Sequence, residues 1–351
     1  MMKTLSKTFV DATLVRTIHR IALGLVIASI VAVNVTAAEA QTAKEVRIAR
    51  IQGINFLPNY VMEAHRLVEK EAAKLGLPDV KVLWRTVSSG GTATDAMLAG
   101  SMDIVNVGPG NLLLLWDRTR GGVKGIVSNS ALPATLISRD PSIKFVQDLK
   151  PADRIALPTV GVSTQALLLQ IEASKIFGSG QWKKFDGNTV QLGHPDGYIA
   201  LMNDGHEIKN HFTSPPFITR ELKNVPGAHV VLKSSDVMGT ALSTAILFTT
   251  TKFADANPKI IEAVRLASQD AIDLIRLNPE QSAQDYRRLS GDNMAQDELV
   301  AILKDPDMKY DVKPEGTMKL AEHLVRTGVL KTKPAAWTDY FLPSSADLGG
   351  N

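Results

Sequence analysis

Apolar positions in this chain fall into two alternating rhythms. Val46, Ile48 and Ile51 in KEVRIARIQG predict a short buried strand closing at Gln52-Gly53. Tyr60, Ala64, Leu67, Val68, Ala72 and Leu75 then recur at helical spacing, with Pro58 suited to the first turn and Gly76 to the stop. A second strand is predicted over VKVLWRTV (80–87), and SSGGTATDAMLAG reads as a Gly-rich turn into a short helix. MDIVNVG (102–108) is a third strand running into PGN; LLLLWDR is helical and VKGIVSN is a fourth strand. Strands and helices alternating at this rhythm imply a parallel α/β sheet.

The pattern breaks at ALPATLISRD (131–140), which reads as an extended crossover, and then restarts. A helical turn and strand in FVQDLKPADRIALP lead to a helix, TQALLLQIEASKIFG. NTVQLG, EIKNHFTSPP and AHVVLKSSD are strands, with the helix YIALMNDG before the second of them. A second crossover, TALSTAILFTTTKFA (240–254), opens an all-helical remainder that includes the amphipathic NPKIIEAVRLASQDAIDLIRLNP. AMLAG/DIVNVGP and ALMNDG/EIKNHFTSPP share one grammar, which suggests two lobes of similar plan. The expected division is 41–133 with 245–351 in lobe 1, carrying the helical C-terminal part, and 134–244 in lobe 2.

Composition narrows the function. Hydrophobic residues are 44% and charged residues 21%, ordinary for a globular chain of 351 residues. Cysteine is absent, which excludes disulfides, zinc–thiolate sites and cysteine nucleophiles. A net charge of +3 gives no footprint for nucleic acid. Lys3, Lys7, Arg16, His19 and Arg20 precede the apolar run IALGLVIASIVAV, and Ala38 and Ala40 form an A-x-A step before Gln41. The run has 13 residues, short of the roughly 20 a spanning helix needs. Residues 1–40 are therefore expected to be a signal peptide cleaved near Ala40-Gln41, placing the mature protein in the periplasm.

No Walker or dinucleotide-type glycine loop occurs. His206 and His211 in HEIKNH are five apart, which separates them by roughly 140° on a helix and puts them on opposite faces of a strand. Both are expected to be surface polar residues. GVSTQ starts like a nucleophile elbow but lacks its closing glycine. A helix cap and an anion cradle remain as compatible readings of Ser163 and Thr164.

Four turns share one form, a strand end followed by Gly, Ser, Thr or Asn and then a helix. They are Gln52-Gly53-Ile54-Asn55, Ser88-Ser89-Gly90-Gly91-Thr92, Gly108-Pro109-Gly110-Asn111 and Thr159-Val160-Gly161-Val162-Ser163-Thr164. Ligands of such sheets gather beyond the carboxyl ends of the strands. His194, Asp196, Ser214 and Pro215, at strand ends of the second lobe, complete the candidate ligand set. Asp196 is equally suited to cap the helix that follows it, and Asn129 ends a first-lobe strand. Arg85 follows Trp84 in a strand, so at most one of the two faces a ligand.

TDAMLAGSMDIVNVGPGN, FVQDLKPADRIALPTVGVSTQALL and ALMNDGHEIKNHFTSPPF carry a family resemblance over about residues 44–330. The chain resembles the periplasmic solute-binding proteins of ABC transporters for nitrate, taurine and aliphatic sulfonates. The resemblance implies the type II periplasmic binding protein fold, with two Rossmann-like lobes joined by two crossover strands. It implies a monomer that holds a small anion between the lobes and hands it to an inner-membrane permease and its ATPase, with no cofactor, no metal and no catalysis. DLKPADR in place of DLKG, GVS with Thr164 in place of Gly-Ser, and Lys209 and His211 in the third motif depart from the family pattern. Two alternatives stay open: an enzyme on the same fold with His194 or His211 as base, and a sensor subunit that presents ligand to a receptor.

Overall fold

The computed structural model describes residues 43–351. The expected signal peptide and its cleavage point lie outside the described residues. Ala43–Asn351 is a single compact unit. Among the described residues no helix is long and apolar enough to cross a membrane.

Ten strands form two five-stranded sheets. The first contains β1 (Glu45–Ile51), β2 (Lys81–Val87), β3 (Ile104–Val107), β4 (Val123–Ser130) and β10 (Ala245–Thr250), in the order β2-β1-β3-β10-β4. The second contains β5 (Thr135–Ser138), β6 (Arg154–Leu157), β7 (Thr189–Gln191), β8 (Ile208–Thr213) and β9 (His229–Lys233), in the order β7-β6-β8-β5-β9. The two orders follow one plan, as the repeated grammar suggests: β3 and β8 hold equivalent places, and the helices Gly90–Leu98 and His194–Met202 precede them.

Each sheet is mixed rather than parallel. β10 runs antiparallel to β3 and β4, and β5 runs antiparallel to β8 and β9. Both exceptions are the first strand after a crossing, where the chain enters the other lobe from the opposite end. The crossings are short: β4 ends at Ser130 and β5 starts at Thr135, while the helix Ser234–Met238 is followed by coil up to β10. The segment read as one crossover at 131–140 therefore yields a sheet strand, as does 240–254.

The central strands are apolar because both faces are covered. Every residue of β3 is buried, and in β10 only Thr250 is not. The helix predicted over 58–76 is broken at Arg66, whose left-handed backbone (φ 52) closes Leu57–His65 before Leu67–Lys74 begins. The break lets both halves lie on the long helix Pro258–Leu277. The C-terminal helices cover the first sheet: Pro279–Ser290 packs on Leu57–His65, and Thr317–Arg326 packs on Pro109–Arg118.

Candidate functional site

Four helices begin at one place. Ser89, Gly108, Ser163 and Gly193 are the N-cap residues of Gly90–Leu98, Pro109–Arg118, Thr164–Phe177 and His194–Met202. All four caps line a single cavity between the lobes. The local chemistry explains the helix starts. Ser89 has extended backbone and its hydroxyl accepts from Thr92 N at 3.3 Å; Ser163 does the same for Ala166 N at 3.2 Å. Gly161, at φ 78, takes the left-handed conformation that turns the chain from Thr159 to Ser163, and Ser163 N donates back to Thr159 O at 3.1 Å. Pro109 and Pro195 carry no N–H, and Thr92 N, Asn111 N and Ala166 N are bonded within their own turns. The other first-turn N–H groups have no partner inside their helices, and the four positive helix ends meet at one spot.

The remaining walls are Ile51, Asn55, Phe56, Ser88, Gly90, Val107, Asn111, Pro158, Thr159, Thr164, Gln165, His194 and Thr244. No Asp, Glu, Lys or Arg is among them. The one titratable wall residue, His194, has its pKa held well below the usual imidazole value, first by burial and then by His211 beside it. The site is therefore electrically neutral in its side chains and positive only through helix ends, each equivalent to roughly +0.5 charge. Asn111 Oδ1, Thr159 Oγ1 and Thr164 Oγ1 are buried without a hydrogen-bond partner. An unmade buried hydrogen bond costs about 1–3 kcal/mol, so three on one cavity wall mark a place for a polar guest. The empty space between these walls, counting what opens to solvent, is about 460 Å³.

The lobes are closed upon one another, and glycines make the approach possible. A Cβ on Gly110 would fall 1.9 Å from the Val162 carbonyl oxygen, and one on Gly193 would fall 2.4 Å from that of Ser88. Outside the cavity, Arg220 of the second lobe pairs with Asp292 of the first, and Lys223 pairs with Glu298. Asn55 ties the cavity to both crossings. Its Oδ1 accepts from Ser130 Oγ and Thr244 Oγ1, both at 2.7 Å, and Thr244 Oγ1 also accepts from Leu132 N at 3.1 Å.

The predicted ligand residues divide. Asn55, Ser89, Gly90, Gly108, Asn111, Thr159, Ser163, Thr164 and His194 line the cavity. Gly53, Gly91, Pro109, Gly110, Gly161 and Val162 shape the turns around it without lining it. Gln52 turns to Ser290 O at 3.5 Å. Thr92 is exposed, with its hydroxyl on Ser88 and Ser89. Asp196 neither lines the cavity nor caps its helix: the helix starts at His194 with Gly193 as its cap, three residues before Asp196, which leaves Asp196 exposed in the first turn. Pro215 belongs to a separate groove with Leu132 and Thr240, and Ser214 is buried away from the cavity. Asn129 turns inward, donating to Asn59 Oδ1 at 3.1 Å. Arg85 is exposed on the edge strand, and Lys209 is exposed beside Asp140 at 3.4 Å.

His206 and His211 part company. His206 is half-buried in its turn, accepting from Ile208 N at 3.1 Å. His211 is 0% exposed, against the expectation of a surface residue, because β8 is a central strand and its inner face is covered by the helix His194–Met202. Among the described residues no cluster of His, Asp and Glu has the makings of a metal site. Sequence reasoning missed Gln165, Thr244 and Gly193 on the wall and Glu221 behind it.

Solved structures similar to this one include periplasmic binding proteins. The alkanesulfonate-binding protein SsuA of Xanthomonas axonopodis pv. citri, bound to MOPS, is similar at 17% identity with a TM-score of 0.65, over 83% of this chain and 96% of that one. The nitrate-binding protein NrtA of Synechocystis PCC 6803 is similar at 14% identity and a TM-score of 0.60, over 87% and 84%. A Candida albicans gene product described as having the generic periplasmic binding protein fold is similar at 10% identity and a TM-score of 0.62, over 88% and 96%. The chain has the type II periplasmic binding protein fold. No family model and no curated protein matches the sequence. At these identities the likeness establishes the periplasmic-binding fold, and the cavity's own chemistry has to argue the ligand.

Proposed function

We propose that this chain is the substrate-binding component of an ABC importer, a periplasmic protein that is not an enzyme. It captures a small oxyanion between lobe 1 (41–133 and 245–351) and lobe 2 (134–244) and delivers it to an inner-membrane permease and ATPase. The observation that carries the reading is the meeting of four helix N-termini on one neutral, buried cavity. Helix starts bind oxyanions through free N–H groups and the positive dipole end. Thr159 and Thr164 add two hydroxyl donors without protein partners. Two helix ends come from each lobe, so an anion held by all four favours the closed form.

The neutral, hydroxyl-lined wall suits nitrate, formate, a small sulfonate or another small oxyanion. That SsuA and NrtA are described as binding alkanesulfonate and nitrate is consistent with oxyanion capture on this fold.

Titration calorimetry on the refolded, ligand-free protein tests this, with nitrate, formate, acetate, methanesulfonate and taurine as probes. Saturable binding of at least one of these oxyanions is expected. Heat-silent mixing with every probe, in a sample that melts cooperatively, removes the proposal.

A further inference from the structure

Behind the cavity wall stands a buried row of three titratable side chains. Glu221, on the helix Phe217–Asn224, and His211, on β8, are both 0% exposed. His211 Nδ1 lies 2.6 Å from Glu221 Oε1, and His211 Nε2 lies 3.2 Å from His194 Nδ1. His194 Nε2 then reaches the cavity wall beside Gln165 Nε2, at 3.5 Å. The row is built in. A Cβ at Gly197 would sit 2.6 Å from His211 Nε2, so glycine there lets the helix lie over the ring. Phe217 packs beside His194 with ring centres 5.8 Å apart.

Hydrogen-bond logic allows the row two neutral-imidazole arrangements. With Glu221 ionised, His211 donates from Nδ1, His194 donates its Nδ1–H to His211 Nε2, and His194 Nε2 meets the cavity as a bare acceptor. With Glu221 protonated on Oε1, each donor reverses. The carboxyl donates to His211 Nδ1, His211 Nε2–H donates to His194 Nδ1, and His194 presents Nε2–H to the cavity. The two differ by one proton, which enters at His194 Nε2 and is stored on Glu221 by one shift along each link. No imidazolium forms in either.

We propose that Glu221, His211 and His194 are a proton relay, and that its one stored proton decides whether the cavity wall donates to an oxyanion or repels it. His194 is then the residue that touches the ligand, and Glu221 and His211 are positioning residues that set its polarity. The inference rests on the oxyanion reading of the cavity for its consequence, though not for the relay itself.

Around Glu221 the surroundings favour the protonated form, whereas at the cavity end the Gln165 amide N–H faces the bare Nε2 of the other form. Glu221 Oε2 has no partner, so a charge there is uncompensated. Burial pushes Glu221 well above the ordinary carboxylate value and His211 down to about 3. Nearby charges are turned elsewhere. Arg220 and Lys223 on the same helix reach Asp292 and Glu298. On the facing helix Asp196 is exposed and the Tyr198 hydroxyl accepts from Asn224. On β8, Lys209 pairs with Asp140, and β5 carries no titratable residue.

Ring-nitrogen NMR of the full chain labelled with ¹⁵N-histidine, followed from pH 5 to 9 without ligand, tests the relay in the wild-type protein. His194 and His211 should both hold the Nε2–H tautomer at the acid end and pass together to Nδ1–H in a single transition. Glu221→Gln should abolish that transition. Above it, the affinity for nitrate or formate should fall about tenfold per pH unit, as one linked proton requires. An imidazolium signal, fixed tautomers, two separate transitions or a transition that survives in Glu221→Gln overturns the relay. A concerted switch with no probe bound keeps the relay and defeats the capture reading. Tight binding with fixed tautomers defeats the relay alone.

Discussion

Gly110→Ala separates closure from folding. Gly110 sits in the first turn of Pro109–Arg118, where Ala is favoured over Gly by roughly 0.5–1 kcal/mol. Within lobe 1 the substitution should therefore leave the melting temperature unchanged or raise it. Across the cleft it collides. Its Cβ would lie 1.9 Å from the Val162 carbonyl oxygen and 2.7 Å from Leu167 Cδ1, whereas real Cβ atoms stay beyond about 3.0 Å. Leu167 has rotamers to give, but the Val162 oxygen is backbone at the turn that feeds the second-lobe helix. The lobes must part by about 1 Å at this point. Overpacking of this kind costs about 1–3 kcal/mol, which is roughly a 5- to 150-fold loss of affinity if the closed form is the binding form. Calorimetric melting, small-angle scattering and titration with nitrate and formate would be run side by side. The expected set is a melting point held or raised, a larger radius of gyration and weakened binding. A variant that binds as tightly as the parent and scatters identically refutes the idea that this contact defines the closed state.

Other perturbations follow from the same contacts. Ser163→Ala removes a helix cap and should cost about 1 kcal/mol of stability, read by thermal melting. Thr164→Ala removes an unpartnered hydroxyl, so stability should hold while oxyanion affinity falls roughly 10- to 150-fold, the worth of a hydrogen bond to a charged group; equal losses of stability in the two variants would contradict the assignment. Arg220→Ala strips the positive partner from Asp292, whose side chain is fully buried and keeps only Met294 N and the Tyr286 hydroxyl, and should open the cleft in scattering and lower stability by at most about 3–5 kcal/mol where the carboxylate stays buried. His323 is held down to about 4, mainly by burial with Arg326 adding to it. Its depressed folded value means stability is present above about pH 6.5 and is lost as pH falls toward 4, by at most about 1.4 kcal/mol per unit; His323→Gln should flatten that part of the melting-versus-pH curve.

Turn chemistry is local, which is why most of the cavity was readable in the chain. Ser89, Gly108 and Ser163 are visible as helix starts because a cap is defined by the few residues around it. Strand direction is not local. β5 and β10 carry the same apolar run whether parallel or antiparallel, so their reversal emerges only once the crossings are traced. The cap lies three residues before Asp196 because Pro195 is already inside the helix and Gly193 supplies the cap. Glu221 could not be seen. FITRELKN carries four charged or strongly polar residues and reads as surface, and only the packing of its helix over β5 and His194–Met202 turns one carboxyl inward. Thr244 is remote in sequence from the cavity and arrives there because the second crossing returns past Asn55.

The neutral wall and the closed lobes are two sides of one electrostatic arrangement. Each lobe alone presents two helix ends to solvent, where water satisfies their N–H groups. Closure strips that water and sets four positive ends, each worth roughly +0.5 charge, against one small space. Without a negative guest that juxtaposition is repulsive, and the Arg220–Asp292 and Lys223–Glu298 pairs at the rim oppose it. On the proposed function, an oxyanion would reverse the sign of the term and engage the unpartnered Thr159 and Thr164 hydroxyls at the same time. A fixed lysine or arginine in the wall would bind anions to the open lobe as well, and would weaken the link between capture and closure. Helix dipoles divided between two lobes avoid this, because the full field exists only when both are present. The buried row behind His194 obeys the same constraint: in its protonated form it adds a donor to the wall without adding a charge.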